Sequence, residues 1–262
     1  MSQQKRWVKK RYGELAAQER SCCGKPTAAL AERIGYRPEE AAAVPEGANL
    51  SLGCGNPLAL ADLAPGETVL DLGSGAGFDA FLAAARVGPQ GRVIGVDMTP
   101  EMIRKARANA AKSGYANVEF REGDIEDLPV DDASVDLVIS NCVLNLTPDK
   151  AKAFREIARV LKPGGRIAIS DIVLEKPLPE KLRGDADAYC SCVSGAIERK
   201  EYLRKLRAAG LTAVRVVAAA DAAELLTGDC GVTAADLAGV VSSVHIVGRR
   251  PRRSTARARQ AA

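Results

Sequence analysis

Beyond residue 66 the chain alternates short, continuously apolar runs with longer stretches whose apolar positions recur at helical spacing. Segments 68–72, 92–96, 118–120, 135–140 and 166–170 read as strands, and 79–87, 100–113 and 149–160 as the helices between them. Unbroken apolar runs, rather than alternating ones, are the pattern of strands covered on both faces. Strands alternating with helices predict the α/β class, a doubly wound and mostly parallel sheet. Two late runs, 213–218 and 243–248, raise the expected strand count to seven, with helices near 180–194 and 199–209. Ahead of this core, 12–35 reads as helix interrupted at Ser21-Cys22-Cys23-Gly24-Lys25-Pro26, 38–43 as a short helix and 44–57 as a glycine-rich loop. The expected division is a helical lead-in with a Cys-bearing loop (1–60), a nucleotide-binding α/β core (61–175), a segment completing the sheet and acceptor site (176–248), and a basic disordered tail (249–262).

Composition fits one sizeable domain: 262 residues, 47% hydrophobic and 27% charged. No window approaches the roughly eighteen apolar residues of a membrane span, and no apolar stretch follows the basic N-terminus as in a secretory signal. The net charge of +4 belongs to the ends. Lys5, Arg6, Lys9, Lys10 and Arg11 at one end, and Arg249, Arg250, Arg252, Arg253, Arg257 and Arg259 at the other, are eleven positive charges whose removal leaves residues 12–248 at −7. With no aromatic residues interleaved to stack bases, these ends are expected to be solvated tails, not a nucleic-acid surface. Seven cysteines without a CxxC pair or a signal argue for a reducing, cytoplasmic compartment and against a structural disulfide framework.

The strongest motif is Val69-Leu70-Asp71-Leu72-Gly73-Ser74-Gly75-Ala76-Gly77-Phe78, a strand running through glycines into a helix. Glycines let backbone turn tightly against a ligand, and the helix start offers free N–H groups. Asp97 ends the next strand, twenty residues beyond Gly77, where a carboxylate accepts two ribose hydroxyls. That geometry suits NAD and S-adenosylmethionine alike. The glycines fall as GxGxG, with Phe78 where a dinucleotide fingerprint needs its third glycine, and Asp71 suits a ligand carrying an ammonium and a sulfonium rather than a pyrophosphate. S-adenosylmethionine is therefore the favoured ligand, with Gly73, Ser74, Gly75, Gly77, Met98, Asp124, Ile125 and Asn141 completing the donor site and Asp124 placed for an adenine amino group.

These motifs and their cysteine contexts closely resemble the arsenite S-adenosylmethionine methyltransferases, members of the class I methyltransferase superfamily with a Rossmann-like fold. The likeness runs through Tyr12-Gly13, Ser21-Cys22-Cys23, the loop from Glu46 to Pro57 around Cys54, the glycine motif, Gly95-Val96-Asp97-Met98-Thr99-Pro100, Ile139-Ser140-Asn141-Cys142-Val143-Leu144-Asn145-Leu146, Leu161-Lys162-Pro163-Gly164-Gly165-Arg166 and Cys192-Val193-Ser194-Gly195-Ala196. The resemblance implies arsenite held by Cys54, Cys142 and Cys192, a redox role for the Cys22-Cys23 pair, and methyl transfer to trivalent arsenic in arsenic detoxification. It leaves Cys190 and Cys230 without a role.

The chemistry agrees with that implication. Trivalent arsenic is a soft centre that selects thiolates, and a single histidine, His245, nearly excludes an imidazole site. Arsenic bound by three sulfurs keeps a lone pair and needs no general base to act as nucleophile. Methyl transfer leaves it pentavalent, so two electrons must return, supplied by two thiols as Cys22 or Cys23 forms a bridge with a distant cysteine, Cys54 foremost, that an external thiol such as thioredoxin or glutathione then reduces. Inorganic arsenite offers three positions to sulfur and methylarsenite two; Cys54, on a flexible loop, is the ligand expected to be dispensable for the second substrate. Two other readings keep the donor site: a methyltransferase for another small acceptor such as a quinone or sterol precursor, and a non-catalytic thiolate sensor of metalloids. A nicotinamide oxidoreductase is disfavoured by Asp71 and Phe78.

Overall fold

The computed structural model describes residues 1–18, 28–226 and 233–252. Seven strands form one sheet: β1 (Thr68–Leu72), β2 (Arg92–Asp97), β3 (Val118–Glu122), β4 (Val135–Asn141), β5 (Leu161–Leu174), β6 (Thr212–Asp221) and β7 (Val241–Arg249). Their order is β3-β2-β1-β4-β5-β7-β6. The first five run parallel, and β7 is antiparallel to both β5 and β6. This is the seven-stranded, mostly parallel class I methyltransferase sheet.

Successive residues of the central strands face opposite layers. Val69, Leu137, Ile139 and Ala168 pack toward α4 (Phe78–Val87) and α5 (Pro100–Ser113), while Leu70, Val138, Ile167 and Ile169 pack toward α6 (Lys150–Val160) and α8 (Arg199–Ala208). Both faces are covered, which is why these strands read as unbroken apolar runs. Registers Leu72↔Val96, Leu72↔Ser140 and Asn141↔Ser170 bring the carboxyl ends of β1, β2, β4 and β5 to one edge. In an open parallel sheet, ligands bind at that edge.

Several expectations need correction. The basic N-terminus is not a solvated tail: Gln3–Gln18 forms α1, which buries Val8 and Leu15 and precedes the short α2 (Ala28–Arg33) and α3 (Pro38–Ala43). Lys5 Nζ lies 2.6 Å from both Asp124 Oδ2 and Glu126 Oε2. Its helical period was hidden because five basic residues flank Trp7, Val8 and Tyr12 and lower the mean hydropathy. The helix expected over 180–194 is a 3-10 turn, Glu180–Leu182, followed by the five-residue α7 (Ala186–Cys190), with Gly184 at φ +74° between them. At the other end, Arg249 still belongs to β7, and Arg250 donates to the carbonyls of Arg159 (2.9 Å) and Leu161. The remaining tail arginines from Arg253 onward, Cys22, Cys23 and Cys230 lie outside the described residues. Among the described residues, no helix is long and apolar enough to cross a membrane.

Candidate functional site

At the carboxyl edge of the sheet a single cavity is lined by Asp71, Gly73, Ser74, Gly75, Asp97, Met98, Asp124, Ile125, Asn141 and Cys142. Gly73 turns the chain out of β1 at φ +66°, and a Cβ there would overlap Val143. Its N–H donates to Val96 O at 2.8 Å, tying the turn to β2. Gly77 caps α4 in the left-handed conformation and acts on the helix, not as part of the lining. Asp97 accepts from the Gly75 N–H (3.0 Å) and the Thr99 N–H (2.8 Å), and burial lifts its carboxyl above the usual range.

Asp71 is the strained group of this cavity. It is 2% exposed, its Oδ2 is buried without a hydrogen-bond partner among the described residues, and burial followed by the charges of Asp79 and Asp97 pushes its carboxyl well above the usual range. Uncompensated buried carboxylates are costly, so a cavity with this acid in its wall fits a cationic ligand. S-adenosylmethionine carries such charge on its ammonium and its sulfonium, and each Asp97 oxygen, accepting one backbone N–H, keeps a lone pair open to a ligand hydroxyl. Asp124 is less available than the sequence suggests. Its Oδ2 takes Lys5 and its Oδ1 accepts from the Glu126 N–H at 2.9 Å, so α1 closes over the place expected for adenine.

The candidate acceptor cysteines gather beside this cavity. Cys54 and Cys142 are joined by a disulfide with Cα atoms 5.7 Å apart, which the absence of a structural framework in the sequence reading did not anticipate. The expected partner of Cys54 was Cys22 or Cys23, which are not described; here it is Cys142. The Cys192 thiol donates to the Cys142 carbonyl at 2.6 Å, so all three candidates share one buried cluster with Cys190. Both Cys142 (φ +59°) and Cys192 (φ +63°) occupy the left-handed region, which costs a non-glycine residue about 1–2 kcal/mol. Burial, then the charge of Asp171, raises the Cys192 thiol well above its ordinary pKa.

Two networks behind the cysteines escaped the sequence reading. In the first, Asp171 is fully buried within 4.8 Å of the Cys54 and Cys142 sulfurs. It accepts from Asn145 Nδ2 (2.9 Å), the Ile172 N–H (2.9 Å) and the Tyr202 hydroxyl (2.9 Å), and burial pushes its carboxyl up to about 7. Nearby, burial lowers Lys150 to about 8, while its Nζ donates to the carbonyls of Asn145 and Thr147. In the second network, Tyr36 donates to Asp79 Oδ1 at 2.5 Å, and Asn141 Nδ2 lies 3.1 Å from Asp79 Oδ2 and 3.0 Å from the Tyr36 oxygen. Burial lifts Asp79 to about 6. Asn145 stands inside a quoted motif and Asp79 opens a predicted helix; nothing local marks Tyr36 or Tyr202.

Cys54 is also not on a flexible loop. Its N–H donates to Asn141 Oδ1 (3.0 Å), its carbonyl accepts from Ser243 Oγ (2.8 Å), and it is 3% exposed. Gly55 lies so close to Ser170 that a Cβ there would come within 2.9 Å of the serine Cβ.

A family described as a methyltransferase domain matches residues 63–210. The chain is 48% identical over 261 residues to an arsenite methyltransferase of Halobacterium salinarum, covering 94% of this chain and 66% of that protein. It is 44% identical over 172 residues to an arsenite methyltransferase of Aquipseudomonas alcaligenes, covering 63% of this chain and 49% of that one. The chain thus spans two thirds or less of these curated relatives. Among solved structures, an arsenic(III) S-adenosylmethionine methyltransferase from Chlamydomonas reinhardtii superposes with a TM-score of 0.64 at 35% identity, over 87% of this chain and 75% of that one.

Proposed function

We infer, from the premise that this chain belongs to the arsenite methyltransferase family, that it transfers a methyl group from S-adenosylmethionine to trivalent arsenic held by Cys54, Cys142 and Cys192. The observation that carries this reading is the convergence of these cysteines, from three separate segments, into one buried cluster that meets the donor cavity at Cys142. A methyltransferase for an organic acceptor would need no such convergence.

When bound, S-adenosylmethionine supplies a methyl group on a positively charged sulfur. Asp71 would favour that charge, Asp97 would orient the ribose, and the Gly73–Gly75 turn, free of side chains that would crowd it, would let the amino-acid end lie against the backbone. Arsenite enters by exchange: each thiol gives its proton to an arsenic hydroxyl, which leaves as water. This exchange suits Cys192, whose buried thiol resists ionising alone. The buried setting excludes water and fixes arsenic next to the donor cavity, the positioning contribution expected where no general base is needed.

A Cys54–Cys142 bridge is what two ligand thiols would form on returning two electrons to pentavalent arsenic, which would leave as the trivalent methylated product. In that state two ligand sulfurs are occupied, and a small thiol or thioredoxin reopens the site by exchange. Cys22 and Cys23 would relay this reduction. The domain limits 1–60, 61–175 and 176–248 serve this scheme as lead-in and loop, donor core, and acceptor wall.

Purified protein incubated with arsenite, S-adenosylmethionine and a thiol should form methylated arsenic, with S-adenosylhomocysteine released in proportion, as read by mass spectrometry. Arsenite-independent consumption of the donor would instead point to another acceptor, and no consumption to a metalloid-binding protein.

A further inference from the structure

The two bridged cysteines lie 88 residues apart, and both adjoin one side chain. We propose that Asn141 is the positioning residue that holds the Cys54 loop in register with Cys142, so that the two sulfurs present one preformed binding edge. The role in arsenic capture rests on the reading of Cys54 and Cys142 as ligands; the clamp itself does not.

Asn141 ends β4 and directly precedes Cys142. Its Oδ1 accepts from the Cys54 N–H at 3.0 Å, and its Nδ2 donates to the Gly55 carbonyl at 2.8 Å. One planar amide therefore bonds the backbone on both sides of the Cys54 side chain. Only an amide carries an acceptor and a donor in this arrangement. Its orientation is fixed from the opposite side: Nδ2 also faces Asp79 Oδ2 (3.1 Å) and the Tyr36 oxygen (3.0 Å), and a flipped amide would point its oxygen at a carboxylate. Gly53 keeps the space this requires, since a Cβ there would lie 2.5 Å from Nδ2. The loop otherwise contains Gly47, Gly53 and Gly55, with many conformations to lose on ordering.

The fitted amide also links the two halves of the site. Asp79 holds Asn141, and Asp79 lies beside Asp71 in the wall of the donor cavity.

The test measures how strongly the two sulfurs are held together. Reduced protein is equilibrated with glutathione and glutathione disulfide, and the Cys54–Cys142 bridge is quantified by peptide mapping. The two thiols each lose a proton and an electron, and one glutathione disulfide takes up both to give two glutathione molecules. The equilibrium constant reports the effective concentration of one thiol at the other. Asn141→Ala, which deletes the clamp, and Gly53→Ala, which displaces it while leaving Asn141 in place, should each lower that constant about tenfold, a potential change of about 30 mV. Far-UV circular dichroism and a thermal melt establish that each variant is folded; if only one folds, its equilibrium decides. Constants within about twofold of the parent in the folded variants would overturn the clamp. In a second arm, arsenite protects the reduced thiols from alkylation, and the variants should need about tenfold more arsenite than the parent. If arsenite fails to protect the parent while the glutathione equilibrium still shifts in the variants, the acceptor reading falls and the clamp stands.

Discussion

Replacing Asp71 by Asn should move donor affinity and the stability of the ligand-free protein in opposite directions. Asp71 is 2% exposed, with one oxygen unpartnered among the described residues and two further carboxyls, Asp79 and Asp97, acting on it. In the ligand-free protein its ionised form is a burden. A folded-state pKa raised above the unfolded value means that the native state keeps a proton the unfolded chain has lost, so stability falls as pH rises from the ordinary carboxylate range toward the raised values. Asp79, lifted to about 6, adds to the same slope. Asn removes one of the mutually repelling charges. Urea denaturation between about pH 4 and 7 should then show a flatter profile and a higher midpoint at neutral pH than the parent. Donor affinity should fall by about 1.5–3 kcal/mol, the worth of a hydrogen bond to a charged group, or roughly 10- to 150-fold by calorimetry. S-adenosylhomocysteine, which lacks the sulfonium charge, should lose less than S-adenosylmethionine. If the variant were less stable and bound both ligands equally poorly, Asp71 would be a structural acid, and the argument from its uncompensated charge would be refuted.

Asp97→Ala should weaken S-adenosylmethionine binding by about 1.5–3 kcal/mol, since it removes the carboxylate proposed to hold the ribose; unchanged calorimetric affinity would remove it from the site. Gly73→Ala should abolish measurable donor binding, because the position requires φ +66° and a Cβ would overlap Val143. Lys5→Ala breaks a partly buried pair with Asp124 and Glu126 and should lower the melting temperature by about 2–4 °C, the response of a domain this size to about 1 kcal/mol. Cys54→Ser, Cys142→Ser and Cys192→Ser should each lose activity on arsenite; activity retained by all three variants, by product mass spectrometry, would dissolve the three-thiol site.

The sheet was legible because its central strands are covered on both sides. Val69 and Leu70 face opposite layers yet are both apolar, so the run stands out against its amphipathic helices. The donor edge was legible for a related reason: Gly73 and Asp97 meet constraints imposed locally by a turn and a strand end. What stayed hidden depends on distant contacts. Lys5 looks like a solvated charge until Asp124 and Glu126 are brought to it across the fold. The loop around Cys54 looks flexible from its glycines, but those glycines admit Asn141 and Ser170. Asp171 carries no signature in sequence because its character comes from burial and from Asn145 and Tyr202, which reach it from other elements.

The central claim, that three thiols of one buried cluster hold the arsenic, is tested most directly by arsenic X-ray absorption on reduced protein loaded with one equivalent of arsenite. The account predicts a first shell of three sulfurs and no oxygen, falling to two sulfurs and one oxygen in Cys54→Ser, Cys142→Ser or Cys192→Ser alike. A shell that keeps oxygen in the parent protein, or three sulfurs that persist after Cys142 is replaced, would contradict it.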